Sequence, residues 1–267
     1  MELSRIKLVV ADMDGTLLNS RHEVSPEFFE LYERLRKKDV LFAAASGRQY
    51  GSILEKLSSI NKEITIIAEN GGFVVHRGLE IFSNPLENQQ KELILKQLDS
   101  IENAQAVLCT KHSAYLMPNS QQFLDKLKEY YTQFEILKNL NDYQGEVMKI
   151  AIYHDVGSEQ YIYPYVRHLE DELMVKVSGK NWVDVSHKNT NKGFALQKVQ
   201  DKLGIKQEET MVFGDYNNDL EMLSMAHYSY AMANAHPKVV STANYTTLSN
   251  DEMGVEMVLE ELLRSKS

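Results

Sequence analysis

Apolar positions along this 267-residue chain fall into two rhythms, one at each end and another in the middle. Ile6–Ala11, apolar but for Lys7, stops abruptly at Asp12, as expected of a short strand buried on both faces. Val40–Ala45 and Ile64–Ala68 read the same way. Between the first two, Ser25-Pro26-Glu27 predicts a helix start. Ser is the cap, Pro sits in the first turn and an acid faces the dipole. That helix should run to about Lys38, and a second should follow Ser46-Gly47-Arg48 to about Ile60. Strand–helix–strand–helix–strand implies a parallel sheet with right-handed crossovers. Such sheets bind ligands beyond the carboxyl ends of their strands, where Asp12 and Ser46 both fall.

Glu69-Asn70-Gly71-Gly72 interrupts the pattern, and Phe73–His76, Arg77-Gly78 and Leu79–Phe82 predict a β flap beside the sheet. From about Asn84 the rhythm changes. Leu86–Ile101 is read as a helix, Ala106–Thr110 and Ser113–Met117 as paired strands, and Gln121–Phe134 as a helix. Val147–Tyr153 follows as a strand, Ser158–Glu172 as a helix, and Met174–Ser178 and Trp182–Ser186 as two strands. This order predicts a separate, largely antiparallel α/β layer inserted at residues 84–187. The first rhythm then returns: a helix over Lys192–Leu203, a strand over Thr210–Phe213, a helix over Asp219–Ala226, a strand over Tyr228–Met232 and a last helix over Gly254–Arg264. Residues 1–83 and 188–267 are therefore expected to form one core domain.

Composition narrows the partners. Lys and Arg number 29 against 38 Asp and Glu, a formal charge of −9. This disfavours a nucleic-acid or anionic-membrane surface, and an anionic substrate would need a local positive site. Cys109 is the only cysteine, so no intrachain disulfide and no cysteine zinc site is expected. It lies in an apolar run and reads as a small core residue. No segment approaches a membrane span and the N-terminus lacks a signal-type apolar core. The expectation is a cytoplasmic protein.

The chemistry gathers at turns. Asp12 and Asp14 are two apart, so in extended chain both lean to one side. They would repel unless a cation lies between them, and Mg2+ suits such oxygen donors. Asp-x-Asp-Gly could equally be a polar turn or a structural metal site. A calcium loop is excluded, because Thr16 and Leu17 stand where that loop needs an acid or Asn and a Gly. Three further clusters follow: Ser46-Gly47-Arg48, Lys192-Gly193 and Gly214-Asp215-Tyr216-Asn217-Asn218-Asp219. Each alone is an ordinary turn. Together they supply a carboxylate nucleophile, a second acid, oxygen ligands for a metal and donors to phosphoryl oxygens. There is no Gly-x-Ser-x-Gly, Walker, Gly-x-Gly-x-x-Gly or His-Glu-x-x-His motif. The eight His residues are scattered, and Trp182 reads as packing within the insertion.

These four clusters, in this order, resemble the haloacid-dehalogenase-like (HAD) phosphohydrolases. The large insertion, Glu69-Asn70-Gly71 and Lys192-Gly193-x-Ala195-Leu196 are similar to the Cof-type subgroup. The resemblance implies an α/β fold, a Rossmann-like parallel-sheet core with an inserted α/β cap. It implies a Mg2+-dependent phosphatase acting on small phosphomonoesters such as sugar phosphates or FMN. In this resemblance Asp12 is the nucleophile and Asp14 the acid and base. Mg2+ is held by Asp12, the Asp14 carbonyl and Asp215. Ser46, Gly47, Lys192 and Asn218 hold phosphate, and Asp219 supports the metal's water shell. A phosphomutase of the same superfamily and a non-catalytic binding relative are the alternatives. Tyr216 and Ala233 depart from the family pattern, which has smaller residues there. The turn Gly179-Lys180-Asn181-Trp182 is the candidate for touching the leaving group.

Overall fold

The first buried run becomes strand β1 (Leu8–Asp12), buried along its whole length in the computed structural model, which describes residues 2–118, 120–128, 131 and 133–266. Helix α1 (Pro26–Arg36) begins as expected: the Ser25 hydroxyl accepts from the Phe28 amide at 3.0 Å. It buries Phe28, Leu31, Tyr32 and Leu35, one helical stripe. Phe28 meets Phe42 of β2 (Leu41–Ala45) edge-on, with ring centres 5.0 Å apart. There follow α2 (Tyr50–Lys56), β3 (Thr65–Ala68), β4 (Phe73–His76) and β5 (Leu79–Ser83).

Next come α3 (Asn88–Leu98), β6 (Gln105–Cys109), β7 (Ala114–Leu116), α4 (Gln121–Leu127) and β8 (Phe134–Ile136). Then follow β9 (Lys149–Tyr153), the one-turn helices α5 (Ser158–Tyr161) and α6 (Tyr163–Val166), β10 (Leu173–Gly179) and β11 (Trp182–His187). The chain closes with α7 (Lys192–Leu203), β12 (Thr210–Gly214), α8 (Leu220–Leu223), β13 (Tyr228–Ala231), α9 (Pro237–Thr242), β14 (Tyr245–Thr246) and α10 (Gly254–Ser265).

The chain divides into two compact units. One holds the segments up to Gly47, Ile53–Phe82 and everything from Asn191 onward; the other holds Arg48–Ser52 and Ser83–Thr190. The first unit carries an eight-stranded sheet in the order β14-β13-β12-β1-β2-β3-β4-β5. Pairing is parallel from β14 through to β3. From β1 the chain steps outward through β2 and β3; from β12 it steps the other way. The order therefore reverses between β1 and β12, and ligands bind at such switch points. Apolar side chains of β1, β2, β12 and α7, among them Val10, Ala43, Val212, Leu196 and Val199, form the core here. The hairpin expected as a flap is part of this sheet: β4 pairs antiparallel onto β3, with Phe73 opposite Ala68.

The second unit carries a six-stranded sheet in the order β10-β11-β9-β6-β7-β8, antiparallel except between β7 and β8. Ile94, Leu108, Ile150, Ile152, Val166 and Val183 pack in one core cluster. Val107, Cys109, Ala151 and Tyr153 meet Phe123 and Leu127 of α4 in another. Two expected helices come out shorter. The segment read as one helix over Ser158–Glu172 breaks at Ile162, because Pro164 has no N–H to donate to the preceding turn. The segment read as a helix to Phe134 stops at Leu127, and Phe134–Ile136 pairs parallel with β7. Residues 129, 130 and 132 of that expected helix lie outside the described residues.

Candidate active site

Three carboxylates and one ammonium meet where the sheet order reverses. Asp12 ends β1 and is 5% exposed. Lys192 opens α7 and is fully buried. That helix start is fixed by Asn191, whose side chain accepts from the Phe194 amide at 2.7 Å. The Lys192 Nζ donates to Asp12 Oδ1 and to Asp219 Oδ1, the second at 2.6 Å. The other Asp219 oxygen accepts from the backbone amides of Asp215 and Tyr216 at 3.0 and 3.2 Å. Both Asp219 oxygens are thus engaged within the protein: one holds Lys192, the other shapes the turn after β12. Thr16 Oγ1 donates to Asp215 Oδ1 at 2.8 Å and orients that carboxylate. One oxygen each from Asp12, Asp215 and Asp219 lie within 4.8 Å of one another.

The first loop has to pass very close to Asp215. Gly15 has φ +79° there, and a Cβ on it would run into the Asp215 carboxylate. Its carbonyl accepts from the Asn234 side chain at 2.8 Å. Asn250 binds both the Asn234 side chain and the Leu18 carbonyl. Asn234 lies outside the four clusters, and its hold on the first loop has no local sequence signal.

The charges do not balance. Burial, then Asp219, push the Asp12 carboxyl well above the usual range, with Lys192 pulling the other way. Burial and Asp219 likewise raise Asp215, to about 6. Burial works against the Lys192 ammonium, but Asp12 and Asp219 outweigh it and hold its pKa above the ordinary lysine value. A donor set of hard carboxylate oxygens with excess negative charge fits Mg2+ and is unsuited to soft ions.

Asp14, Ser46, Gly47 and Asn218 all belong to the first unit. The Asp14 side chain is not one of the three clustered carboxylates. It is 42% exposed, with His22 Nδ1 at 3.3 Å from its Oδ1. Ser46, at the end of β2, is 1% exposed, and Gly47 follows it. Asn218 donates to the Asn70 side chain at 3.0 Å. In the inserted unit, the turn offered for leaving-group contact is tied to its own neighbours. The Asn181 amide donates to the carbonyls of His154 and Asp155, both at 2.8 Å. Ser158 donates to those of Gly179 and Lys180. Trp182 packs on Tyr153 and Phe123, as a core residue would.

No described helix is long and apolar enough to cross a membrane. Residues 9–259 match the model of the haloacid dehalogenase-like hydrolases. The chain is 30% identical over 265 residues to the 5-amino-6-(5-phospho-D-ribitylamino)uracil phosphatase YbjI of Escherichia coli, covering 98% of each. It is 26% identical to YitU of Bacillus subtilis, a phosphatase named for the same compound, covering 95% of this chain and 96% of that one. The crystal structure of SMU.1108c from Streptococcus mutans superposes with TM-score 0.89 at 27% identity, over 97% of this chain and 99% of that one. The fold, the site and these similarities agree: the chain belongs to the haloacid dehalogenase-like hydrolases, as a phosphatase of that family.

Proposed function

We propose that this phosphatase hydrolyses small phosphomonoesters with Mg2+, carrying the phosphoryl group on Asp12. The observation that supports this most is the buried cluster of Asp12, Asp215 and Asp219 around Lys192, where three acids face one ammonium. An excess of buried negative charge costs stability unless a cation or a reaction uses it. Asp12 and Asp215, with the Asp14 backbone carbonyl, would hold Mg2+. When bound it supplies positive charge beside the transferring phosphoryl oxygens.

The residues themselves divide the work. Asp12 attacks phosphorus as the ester P–O bond breaks, and Asp14 gives its proton to the leaving oxygen. Asp14 then takes a proton from water, which attacks phosphorus, releases phosphate and restores Asp12. The exposure of Asp14 suits a group that must exchange protons with solvent and substrate. Ser46, the Gly47 amide and Asn218 hold phosphoryl oxygens. Lys192, locked between Asp12 and Asp219, aims the nucleophile and offsets charge as phosphate arrives. The inserted residues 84–187 are assigned selectivity among leaving groups, since the core residues address only what all phosphomonoesters share. The protein is assigned to the cytoplasm.

The names of two relatives make 5-amino-6-(5-phospho-D-ribitylamino)uracil the first substrate to try, beside sugar phosphates and FMN. Phosphate release from that panel, in Mg2+ and in excess chelator, tests the reading. Release in Mg2+ that chelation abolishes is expected. No release from any member, or full activity in chelator, would contradict it.

A further inference from the structure

Asn70 has no part in the chemistry above, yet it touches two of the elements that do. It lies in the Glu69–Gly71 turn after β3 with left-handed backbone, φ 54°. Its amide donates to the Ser46 carbonyl at 2.9 Å. Its side-chain Oδ1 accepts from Asn218 Nδ2 at 3.0 Å. Its side chain also lies directly over Gly47: a Cβ added there would come within 3.1 Å of both the oxygen and the nitrogen of the Asn70 amide. A third link runs through the next residue, since a Cβ on Gly71 would collide with the carbonyl of Asn191, the cap of the helix that presents Lys192. One short turn thus meets the loop after β2, the turn after β12 and the start of α7.

We propose that Asn70 is a positioning residue: its side chain holds the Asn218 amide in register with the Ser46–Gly47 loop, so that the two phosphate-binding elements are set as one unit. This rests on the reading of Ser46, Gly47 and Asn218 as phosphate holders given above. Two sequence features then share one cause. Asn is among the few residues with a side chain that accept left-handed backbone readily, and it alone offers both that backbone and an amide oxygen for Asn218. Gly at position 47 leaves the space through which that amide reaches across. Donors to a transferring phosphoryl group act through placement, and a shift of about 1 Å in such a group costs up to about a hundredfold in rate.

The test uses the full chain with Mg2+ and three variants: Asn70→Gly, Asn218→Ala and the double variant. Glycine keeps the left-handed backbone, so Asn70→Gly removes only the side chain. Hydrolysis of para-nitrophenyl phosphate, calorimetric binding of inorganic phosphate and thermal melting are read on each. Asn70→Gly should lower kcat/KM about ten- to a hundredfold and weaken phosphate binding in step, while melting within a few degrees of the wild type. The double variant should be no worse than Asn218→Ala, because both changes remove the same placement. Wild-type phosphate binding in Asn70→Gly, or losses that multiply in the double variant, would overturn the proposal. A wild type that binds phosphate yet hydrolyses no phosphomonoester would sink the proposed function and leave this inference to the binding comparison. If Asn70→Gly does not fold, the Asn218 side-chain amide of the wild type decides by NMR. A single, slowly exchanging amide is expected, and a motionally averaged one overturns the proposal.

Discussion

Among the described residues, two lysines are buried against acids, one in each compact unit, and the two sites are built differently. In the inserted unit Lys149 of β9 meets Asp184 of β11 at 2.9 Å, with both side chains under a tenth exposed. That pair bridges adjacent strands and sets a carboxylate against an ammonium. In the core Lys192 faces Asp12 and Asp219 with Asp215 beside them, so negative charge is in excess. A matched pair can be exchanged for apolar side chains at little cost. An unmatched cluster cannot arise from packing alone, because each surplus charge lowers stability. The difference separates a structural ion pair from a site.

The largest expected effect is on turnover. Asp12→Asn should cut phosphate release at least about a thousandfold, since the covalent route is lost. The variant should still fold, because burial and its acidic neighbours already disfavour the ionised Asp12 carboxyl. Residual activity above about a tenth of wild type in a phosphate-release assay would remove Asp12 from its role.

Lys192→Ala comes next. It leaves Asp12 and Asp219 buried without their ammonium and should cost about 3–5 kcal/mol in denaturant unfolding, as well as turnover. The side chain is fully buried, so no solvent can replace the lost ammonium. Stability equal to the wild type in metal-free buffer would show that the cluster is not charge-bound.

A smaller effect concerns pH. Asp215 is raised to about 6 by burial and by Asp219, so the folded state keeps its proton to higher pH than the unfolded chain does. In chelator, stability should therefore fall as pH rises from about 4 to about 6. Mg2+ favours the ionised carboxylates, so the gap between melting curves with and without Mg2+ should widen over the same interval. Parallel curves would contradict the metal assignment.

The smallest effect belongs to the inserted unit. Replacing the pair together, Lys149→Met with Asp184→Leu, should leave stability within about 1–2 kcal/mol of the wild type or above it. Asn181→Ala should cost about 1–2 kcal/mol through two lost carbonyl partners, without altering hydrolysis of a small aryl phosphate. A large loss of turnover in either variant would make the matched pair or the turn functional and erase the contrast between the units.

The core was legible because its chemistry lies where buried strands end. Runs such as Val9–Ala11 and Met211–Phe213 announce themselves, and the acids follow within one or two residues. The helix Lys192–Leu203 also matches its expected limits, having a clear Asn cap. What stayed hidden was long-range. Thr16 on Asp215, Asn234 on Gly15 and Asn70 on Asn218 join residues far apart in sequence. Periodicity carries no record of such pairs. The inserted unit was less legible because its elements are short. Pro164 breaks a continuous helical pattern into single turns, and the three residues of β8 are too few to show alternation. The β4–β5 hairpin was visible as a hairpin, but its joining the main sheet depends on the left-handed turn at Glu69–Gly71, a tertiary feature.

The central claim, that Asp12 carries the phosphoryl group, can be tested directly in the Asp14→Asn variant. Para-nitrophenolate leaves without needing a proton, so the first step survives, while the water that clears the intermediate lacks its base. Acid quench during reaction with para-nitrophenyl phosphate, digestion and peptide mass spectrometry should then find the phosphoryl group on the peptide containing Asp12. Stoichiometric para-nitrophenolate release with no phosphoryl group on that peptide would contradict the account.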